Sequence, residues 1–517
     1  MNVNVTPDRQ AIERFLRNAE KDLKDYRIEL NRLKVDTLAL EAKMAGLIQT
    51  MESSRGRLAP VHMLTQDNLM EVFRHVCEQK VNVLDDREGL PVASVLASIC
   101  SRWRDVAKSM TVLWSSLRID FGIWSEFGGS NGAQKLAKLT RLFLERSKSR
   151  PLNLDIRFPY DSEEEPNHFD WVTTMELLYA NSHRWQRFEA AWSEGVAKTR
   201  AGAPLLSSLQ HLTLHTSVPW DHEPSNNILD RFLHCPSLTS VSLDLQDGIQ
   251  NRLLLPWTQL TAMTLESCEA SSAFSVLSRC PHLKTLALVN IAEEFEEPFE
   301  DDGLVLPRVS SLSMGRTAAW GDADIKLLQH LTLPALSTLE LVHTLEQMPS
   351  FLEGRPRTAV VLNDFITRSA CSITMLRLVS VSLTDIEALC LLRLLPTLDH
   401  VEIGEFAGEP TNRIVTSKFI KHLFINSHPT NSNTPQTTFS PRLSVLKLSV
   451  HAGDLDEQAL SGALASRFAA SPRYLSSVEI VLIIKDEPSV NGPLSRLECF
   501  NDAELRLVIS YLTTGED

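Results

Sequence analysis

The segments PHLKTLALVN (281–290) and PALSTLELVH (334–343) carry the pattern that decides the fold: a proline, then L-x-x-L-x-L. The two apolar side chains of L-x-L are two residues apart, so they point to the same side of a short strand. The pattern returns at intervals of 22 to 45 residues, with other apolar residues replacing leucine at some positions. The copies are centred on Leu212, Val241, Met263, Leu286, Leu312, Leu339, Leu376, Val401, Leu446 and Val478. Self-similarity of this kind predicts a repeat architecture.

Several stretches between the copies are typical of helices, among them SAFSVLSRC (272–280) and DIEALCLLRLL (385–395). Weaker copies precede the ten, at Leu117, Leu154 and Phe188. Alternating helices and strands stack into a parallel solenoid with the strands on the inner face and the helices outside. We therefore predict an α/β fold whose residues 119–517 form an irregular repeat solenoid with a parallel strand face and outer helices.

Residues 1–55 are predicted to form a separate coiled-coil unit, in which residues 8–52 are one long helix that SSRGR (53–57) ends. Apolar residues recur in residues 8–52 with the alternating 4-3 spacing of a coiled coil. They are Ile12, Leu16, Ala19, Leu23, Tyr26, Leu30, Leu33, Leu40, Met44, Leu47 and Met51, with Thr37 as the one polar member. The pattern indicates a homodimer or a partner helix at residues 8–52; the alternative is that the helix folds back onto its own domain.

Residues 56–118 are predicted to form a small all-α unit, with helices near 64–76 and 92–108 and an acidic loop at 82–89. Its first helix carries the apolar residues Leu64, Leu69, Val72 and Phe73. A unit of this size buries little apolar surface by itself, so an exposed stripe of this kind indicates a protein-interaction site. The alternative is that the stripe packs on the first repeats.

The same segment resembles the F-box-like domain of a large fungal family. APVHMLTQDNLMEVF (59–73) is similar to the start of that domain. ASICSRWRDVAKSMTVLWSSLRI (97–119) is similar to its pattern V-C-x-x-W-R-x-I-A-x-x-x-x-x-L-W-x-x-L-x-I. The long helix before this unit and the leucine-rich repeats after it also match the arrangement of that family. One departure is clear: the Leu-Pro pair of the family is Leu64-Thr65 here.

The resemblance implies a substrate-recognition adaptor of an SCF-type ubiquitin ligase. In that family the start of the F-box contacts the Skp adaptor subunit, and the repeats bind a protein substrate. The implied Skp-contacting residues are Pro60, Val61, Leu64, Leu69, Val72 and Phe73. A scaffold that uses the coiled coil and the repeats without any ligase is the alternative, which the Leu64-Thr65 departure keeps open.

Composition excludes several other classes of function. Residues 119–517 hold 33 basic and 49 acidic side chains, and an acidic surface repels phosphate backbones, so we expect no nucleic-acid partner. The eight cysteines form no C-x-x-C pair, which favours reduced, buried thiols. No apolar run is long enough to cross a membrane, and the start of the chain has no signal-peptide pattern. We therefore expect an intracellular protein, in the cytoplasm, the nucleus or both.

Catalytic motifs are missing from the sequence. It contains no H-E-x-x-H, no G-x-S-x-G and no P-loop, and its histidines show no metal-ligand spacing. We therefore expect neither an enzyme nor a cofactor or metal site.

The substrate surface is predicted on the strand face, at the positions beside the central apolar residue of each repeat. These positions are mostly small in the first five of the ten copies and large or charged in the last five. Because binding energy concentrates in a few large or charged anchors, the C-terminal half is the predicted docking site. The predicted contacts are Met375, Arg377, His400, Glu402 and Lys447.

Overall fold

The computed structural model divides the chain into two compact units, Met1–Val76 and Cys77–Asp517. The predicted boundaries after residues 55 and 118 do not coincide with this division. The structure describes residues 9–58, 60–79, 82–84, 90–127, 131–158, 171–192, 206–216, 232–244, 253–292, 303–316, 327–343, 357–381, 383–407, 413–425, 440, 442–470, 474–484, 497, 500 and 505–513.

The first unit consists of a long helix and a short one. Helix α1 spans Arg9–Leu58, and a 3-10 turn at Pro60–Met63 leads into α2, Gln66–Gln79. The predicted end of α1 at 53–57 is wrong by several residues. The hydroxyl of Ser54 donates to the carbonyl of Thr50 at 2.8 Å, so this polar group is satisfied inside the helix. The helix stops two residues before Pro60, whose ring disfavours helical geometry in the residue before it.

The second unit is built on a parallel sheet of fifteen strands among the described residues. Its strands follow the order of the chain, β1-β2-β3-β4-β5-β6-β7-β8-β10-β12-β13-β14-β15-β16-β17. A separate two-stranded pair joins β9 and β11. The strands are β1 Asn82–Leu84, β2 Ser116–Asp120, β3 Leu152–Arg157, β4 Trp185–Trp192, β5 His211–Thr216, β6 Ser240–Asp244, β7 Ala262–Glu266, β8 Thr285–Val289, β9 Leu304–Val305, β10 Ser311–Arg316, β11 Leu331–Thr332, β12 Thr338–His343, β13 Met375–Val379, β14 His400–Gly404, β15 Val445–His451, β16 Ser477–Ile484 and β17 Arg506–Thr513.

Helices connect many of the strands in the second unit. They are α3 Val92–Ile99, α4 Ser101–Ser109, α5 Phe121–Phe127, α6 Gly132–Ser147, α7 Val172–Tyr179, α8 Ala270–Leu277, α9 Arg357–Ser369, α10 Asp385–Arg393, α11 Ser417–His422 and α12 Glu457–Phe468. The predicted helices at 272–280 and 385–395 correspond to α8 and α10. Helix α10 begins with a capping box, in which the hydroxyl of Thr384 accepts from the Glu387 amide and the Glu387 carboxylate accepts from the Thr384 amide.

The central apolar residues of the repeats stack in register across the sheet. Leu312 pairs with Leu286 on one side and with Leu339 on the other, and Leu339 pairs with Leu376. All four side chains are fully buried. The alternating side chains, such as Ser313, are only half-buried. The sheet therefore has one covered face, which forms the core, and a second face that we call the open face, formed by the alternating side chains.

This architecture confirms an α/β fold with a long N-terminal helix and a large parallel sheet, of a kind compatible with a repeat solenoid. Every predicted copy, weak or strong, contributes a strand. The expectation that residues 56–118 are all-α is wrong, because 82–84 forms β1 and pairs with β2. Asn82 explains this: its amide donates to the carbonyls of Leu113 and Ser116, and its side-chain oxygen accepts from Ala93.

Polar side chains donate hydrogen bonds to backbone carbonyls of the preceding repeat. The guanidinium of Arg467 donates to the carbonyls of Leu423 at 2.6 Å and Ser440 at 3.0 Å. Comparable contacts join Arg184 to Arg150, Arg368 to Leu331, and Gln259 to Cys235 and Leu238. Where such a carbonyl is buried, leaving it without a partner would be costly.

Candidate protein-binding surface

The predicted substrate contacts lie together on the open face. Met375 and Arg377 of β13 lie beside His400 and Glu402 of β14, and Glu402 lies beside Lys447 of β15. All five side chains are half-buried. Strand alternation placed them on one face, and the unbroken register brings them next to one another across three strands.

The charges at this place are already paired with each other. Arg377 Nε lies 2.9 Å from Glu402 Oε1, and Lys447 Nζ lies 3.0 Å from Glu479 Oε2. With Glu340 of β12, the second open-face position alternates in sign over five neighbouring strands. A partner must therefore compete with pairs that exist without it. This weakens the argument that Arg377, Glu402 and Lys447 act as isolated charged anchors.

His400 differs from its charged neighbours. Its Nε2 atom is buried and has no hydrogen-bond partner among the residues that the structure describes. Its strand neighbours at the same position, Met375 and Val445, offer no polar side-chain group. Because this nitrogen is buried, a bound protein could satisfy it only if the His400 side chain rotated outward.

The middle of the open face is lined by small side chains. Across β5 to β10 the second position is occupied by Thr213, Ser242, Thr264, Ala287 and Ser313. Small side chains leave the backbone accessible and add little binding energy of their own. This part of the sheet can therefore accept a closely approaching partner surface without supplying strong anchors.

A polar depression of about 360 Å³ lies on the open face at the N-terminal strands β2 to β5. Arg118 and Asp155 form an ion pair at its floor, on adjacent strands. Glu189 and His211 also line it, and Arg187 stands at its rim, exposed. Burial, together with the charge of Arg187, lowers the pKa of His211, which favours its neutral form. The depression therefore offers both hydrogen-bond donors and acceptors.

This depression was not predicted from the sequence, because the copies that form β2 and β4 lack their first leucine. Trp114 and Trp185 stand in its place. Each indole Nε1 donates to the carbonyl seven residues earlier, at Ala107 and Leu178, at the end of the preceding helix. A tryptophan five or six residues after a helix end and three before an apolar strand residue is thus a usable signal for these copies.

The residues expected to contact a Skp subunit are only partly accessible. Leu69 and Phe73 are fully buried, so in this conformation they do not form an open stripe as expected. Leu64 is half-buried, whereas Pro60 is exposed and Val72 is 46% exposed. The side chain of Val61 lies outside the described residues. Helix α2 therefore presents only its Val72 side, together with the neighbouring Met63, to a partner.

Three of the seven described cysteines are buried as expected, whereas Cys390 is exposed. Burial raises the pKa of the thiols of Cys235, Cys268 and Cys280 to about 12, so they stay protonated and unreactive. No cluster of three or more potential metal ligands occurs among the described residues. Within the same part of the chain, no helix combines the length and apolar character that a membrane span requires.

Comparisons with known proteins assign no family. No family model matches the chain, and no curated protein matches it. Among solved structures, a Bacteroides fragilis protein determined by the Northeast Structural Genomics Consortium is 12% identical, with a TM-score of 0.32. The match covers 64% of this chain and 76% of that chain. A TM-score this low carries no argument about fold or function.

Proposed function

We propose that this chain is a substrate-recognition adaptor of an SCF-type ubiquitin ligase. In this proposal residues 59–119 act as an F-box-like module that binds the Skp subunit. The sheet from β1 to β17 acts as an irregular leucine-rich-repeat solenoid, and its open face binds the protein to be ubiquitinated. The chain itself performs no catalysis.

One observation supports the ligase link more than any other: the register of ASICSRWRDVAKSMTVLWSSLRI with the second half of the F-box pattern. Cys100, Trp103, Arg104 and Trp114 all fall at matching positions of the motif. In the structure this stretch runs through α3, α4 and a 3-10 turn into β2, with Trp114 fully buried. The motif thus coincides with a compact helical segment that leads directly into the first repeats.

The surface proposed for the Skp subunit is smaller than the motif implies. Because Leu69 and Phe73 are buried, the contact rests on the exposed Pro60, Met63 and Val72. Binding would bury this apolar patch against the partner. A charge introduced there would have to be buried without a compensating charge, so it should prevent binding.

Co-purification of the full chain with a recombinant Skp subunit tests this link. Met63→Asp combined with Val72→Asp should abolish binding while leaving the far-ultraviolet circular dichroism unchanged. Val360→Asp is the matched control, since Val360 is a 58% exposed helical valine on α9. It should bind as the unchanged chain does. Binding that survives the double substitution would contradict the proposed contact.

The scaffold function remains the second candidate. The burial of Leu69 and Phe73 favours it, as does threonine at position 65 in place of proline. The same experiment separates the two candidates, because a scaffold of this kind would show no binding of the unchanged chain to the Skp subunit. Both functions use the open face to recognise a protein.

Photo-crosslinking tests the open face directly. Benzoylphenylalanine at Thr264, on β7, should form adducts with proteins from an extract of the source cells. The same probe at Ile386, which is 54% exposed on helix α10, is the control and should form few adducts. Equal yields from the two positions would show that recognition does not use the open face.

A further inference from the structure

Helix α1 carries an apolar seam that its own chain leaves exposed. The ten large apolar side chains of the 4-3 pattern, Ile12, Leu16, Leu23, Tyr26, Leu30, Leu33, Leu40, Met44, Leu47 and Met51, are between 46% and 70% exposed. The helix has 50 residues and is therefore about 75 Å long. A seam of this length and exposure requires a partner helix of comparable length.

The residues beside the seam indicate a coiled coil of two helices. In heptad terms Leu16, Leu23 and Leu30 occupy a positions, and Tyr26 and Leu33 occupy d positions. The flanking e and g positions between residues 13 and 50 number twelve, and nine of them are charged. Oligomers of more than two helices bury more of the e and g positions, so a narrow seam with charged flanks favours a pair.

A parallel pair of copies fits this helix poorly. In that arrangement Ala19 faces Ala19 and Tyr26 faces Tyr26, which leaves a void in one layer and crowds another. Asp36 also faces Glu41 of the other copy, and this like-charge contact occurs twice because of the two-fold symmetry. Two attractive contacts compensate only in part: Asp22 with Arg27, and Glu29 with Lys34.

An antiparallel pair with its two-fold axis between Leu38 and Ala39 fits better at the charged flanks, although Arg27 then faces Ile48 and Glu29 faces Thr50. Lys34 then faces Glu41 of the other copy, and Asp36 faces Lys43. Glu20 faces Arg55. Each contact occurs twice, and no like charges meet.

The core layers of this antiparallel pair are complementary in size between residues 26 and 51, whereas Leu23 faces Ser54, and Ile12 and Leu16 extend beyond the partner helix. Tyr26 faces Met51, Leu30 faces Leu47, and Leu33 faces Met44. The polar Thr37 meets Leu40 beside the axis. Shifting the pair by one heptad toward the N-terminus would place Lys34 against Lys34 and Asp36 against Asp36, so charge selects this register over its neighbour.

We propose that the occupant of the seam is a second copy of this chain, in an antiparallel coiled coil centred between residues 38 and 39. The two copies of Leu58 then lie about 60 Å apart along the axis, at opposite ends of the overlap. Each copy continues from there into its own second unit. A dimer of this kind offers two open faces, so a partner with two recognition sites would bind with increased avidity.

Sedimentation of the full chain tests self-association, with the 58.0 kDa monomer as reference mass. The unchanged chain should sediment as a dimer at micromolar concentration. Leu30→Asp should raise the dissociation constant roughly a hundredfold or more, because it buries a charge in the seam. Ile28→Asp is the matched control, since Ile28 is 58% exposed but lies at an f position, away from the seam. A monomeric unchanged chain would overturn the proposal.

Charge reversal tests the orientation and the register together. Lys34→Glu alone and Glu41→Lys alone should each weaken the dimer, whereas the double variant should restore it, because the exchanged charges face each other again. In a parallel pair Glu41→Lys would instead strengthen the dimer, by meeting Asp36. In the pair shifted by one heptad the double variant would stay weak. Either of these outcomes would contradict the proposed geometry.

A cysteine at the axis provides an independent readout. Thr37→Cys would form a disulfide between copies in a parallel pair, where the two positions face each other. In the antiparallel pair Thr37 faces Leu40, so Thr37→Cys alone should not crosslink, whereas Thr37→Cys combined with Leu40→Cys should. The residues 9–58 contain no natural cysteine, and peptide mapping would identify the bridge. A bridge between two copies of position 37 would overturn the antiparallel arrangement. The result does not depend on whether the chain binds a Skp subunit.

Discussion

Individual buried polar side chains determine how the repeats of this sheet are joined. Arg467 is 2% exposed and its guanidinium satisfies two turn carbonyls, at Leu423 and Ser440. Burial lowers its pKa to about 10, so it remains charged at neutral pH. Arg377 is the same residue type in another environment, half-exposed on the open face and paired with Glu402.

These two arginines should respond very differently to the same substitution. Arg467→Met leaves two buried carbonyls without donors, and we expect a loss of about 3 kcal/mol in the free energy of unfolding. Arg377→Met removes only a half-exposed ion pair and should cost about 1 kcal/mol or less. Urea unfolding followed by circular dichroism measures both. Equal losses would mean that the carbonyl contacts of Arg467 do not stabilise the repeats.

Protonation of His343 makes the stability of the second unit depend on pH. It ends β12 and is 7% exposed, and burial together with the charge of Arg316 lowers its pKa to about 4. In the unfolded chain the pKa is about 6.5, so between pH 6.5 and 4 the unfolded state binds a proton that the folded state does not. The stability tied to the neutral imidazole is therefore complete above pH 6.5 and is lost as the pH falls toward 4.

His343→Gln should remove this component of the acid sensitivity. The unchanged chain should lose up to about 3 kcal/mol more stability between pH 6.5 and 4 than the variant does. Thermal unfolding at several pH values measures the difference. Parallel curves for the two proteins would show that His343 does not carry the effect.

At the scale of elements, strand positions could be predicted from the sequence and their contacts could not. The spacing of L-x-L places every strand from β5 to β8 correctly, because a period of two and a preceding proline are local properties. Strand β1 escaped detection, since its three residues are held by Asn82 through contacts more than thirty residues away. No local pattern records such a contact.

For the candidate surface, too, the sequence predicts positions but not contacts. Alternation along a strand correctly predicts that Met375, Arg377 and Glu402 share a face. The pairing of Arg377 with Glu402, and of Lys447 with Glu479, depends on which strands are neighbours and on the register between them. The burial of Phe73 likewise depends on tertiary packing that a helical pattern does not contain. Sequence therefore predicts the composition of the surface, and only the structure gives its charge balance.

At the scale of the whole second unit, the strand order follows the chain without a crossover among the sheet's described strands. Each strand then contacts only its two neighbours, and stability is approximately a sum of repeat and interface contributions. A repeat that is destabilised near one end of the array should unfold without the others. A repeat that is destabilised in the middle should separate the array into two folded blocks.

Two matched core substitutions test this behaviour. Leu482 in β16 and Leu288 in β8 are both buried, and each change to alanine should cost about 3 kcal/mol locally. Leu482→Ala should speed amide hydrogen exchange in β15 to β17 and leave β7 and β8 protected. Leu288→Ala should speed exchange in β7, β8 and β10 and leave β16 protected. Hydrogen-exchange mass spectrometry resolves these strands in one experiment. Exchange that accelerates over the whole sheet in both variants would show one cooperative core, and the nearest-neighbour description of this sheet would then be wrong.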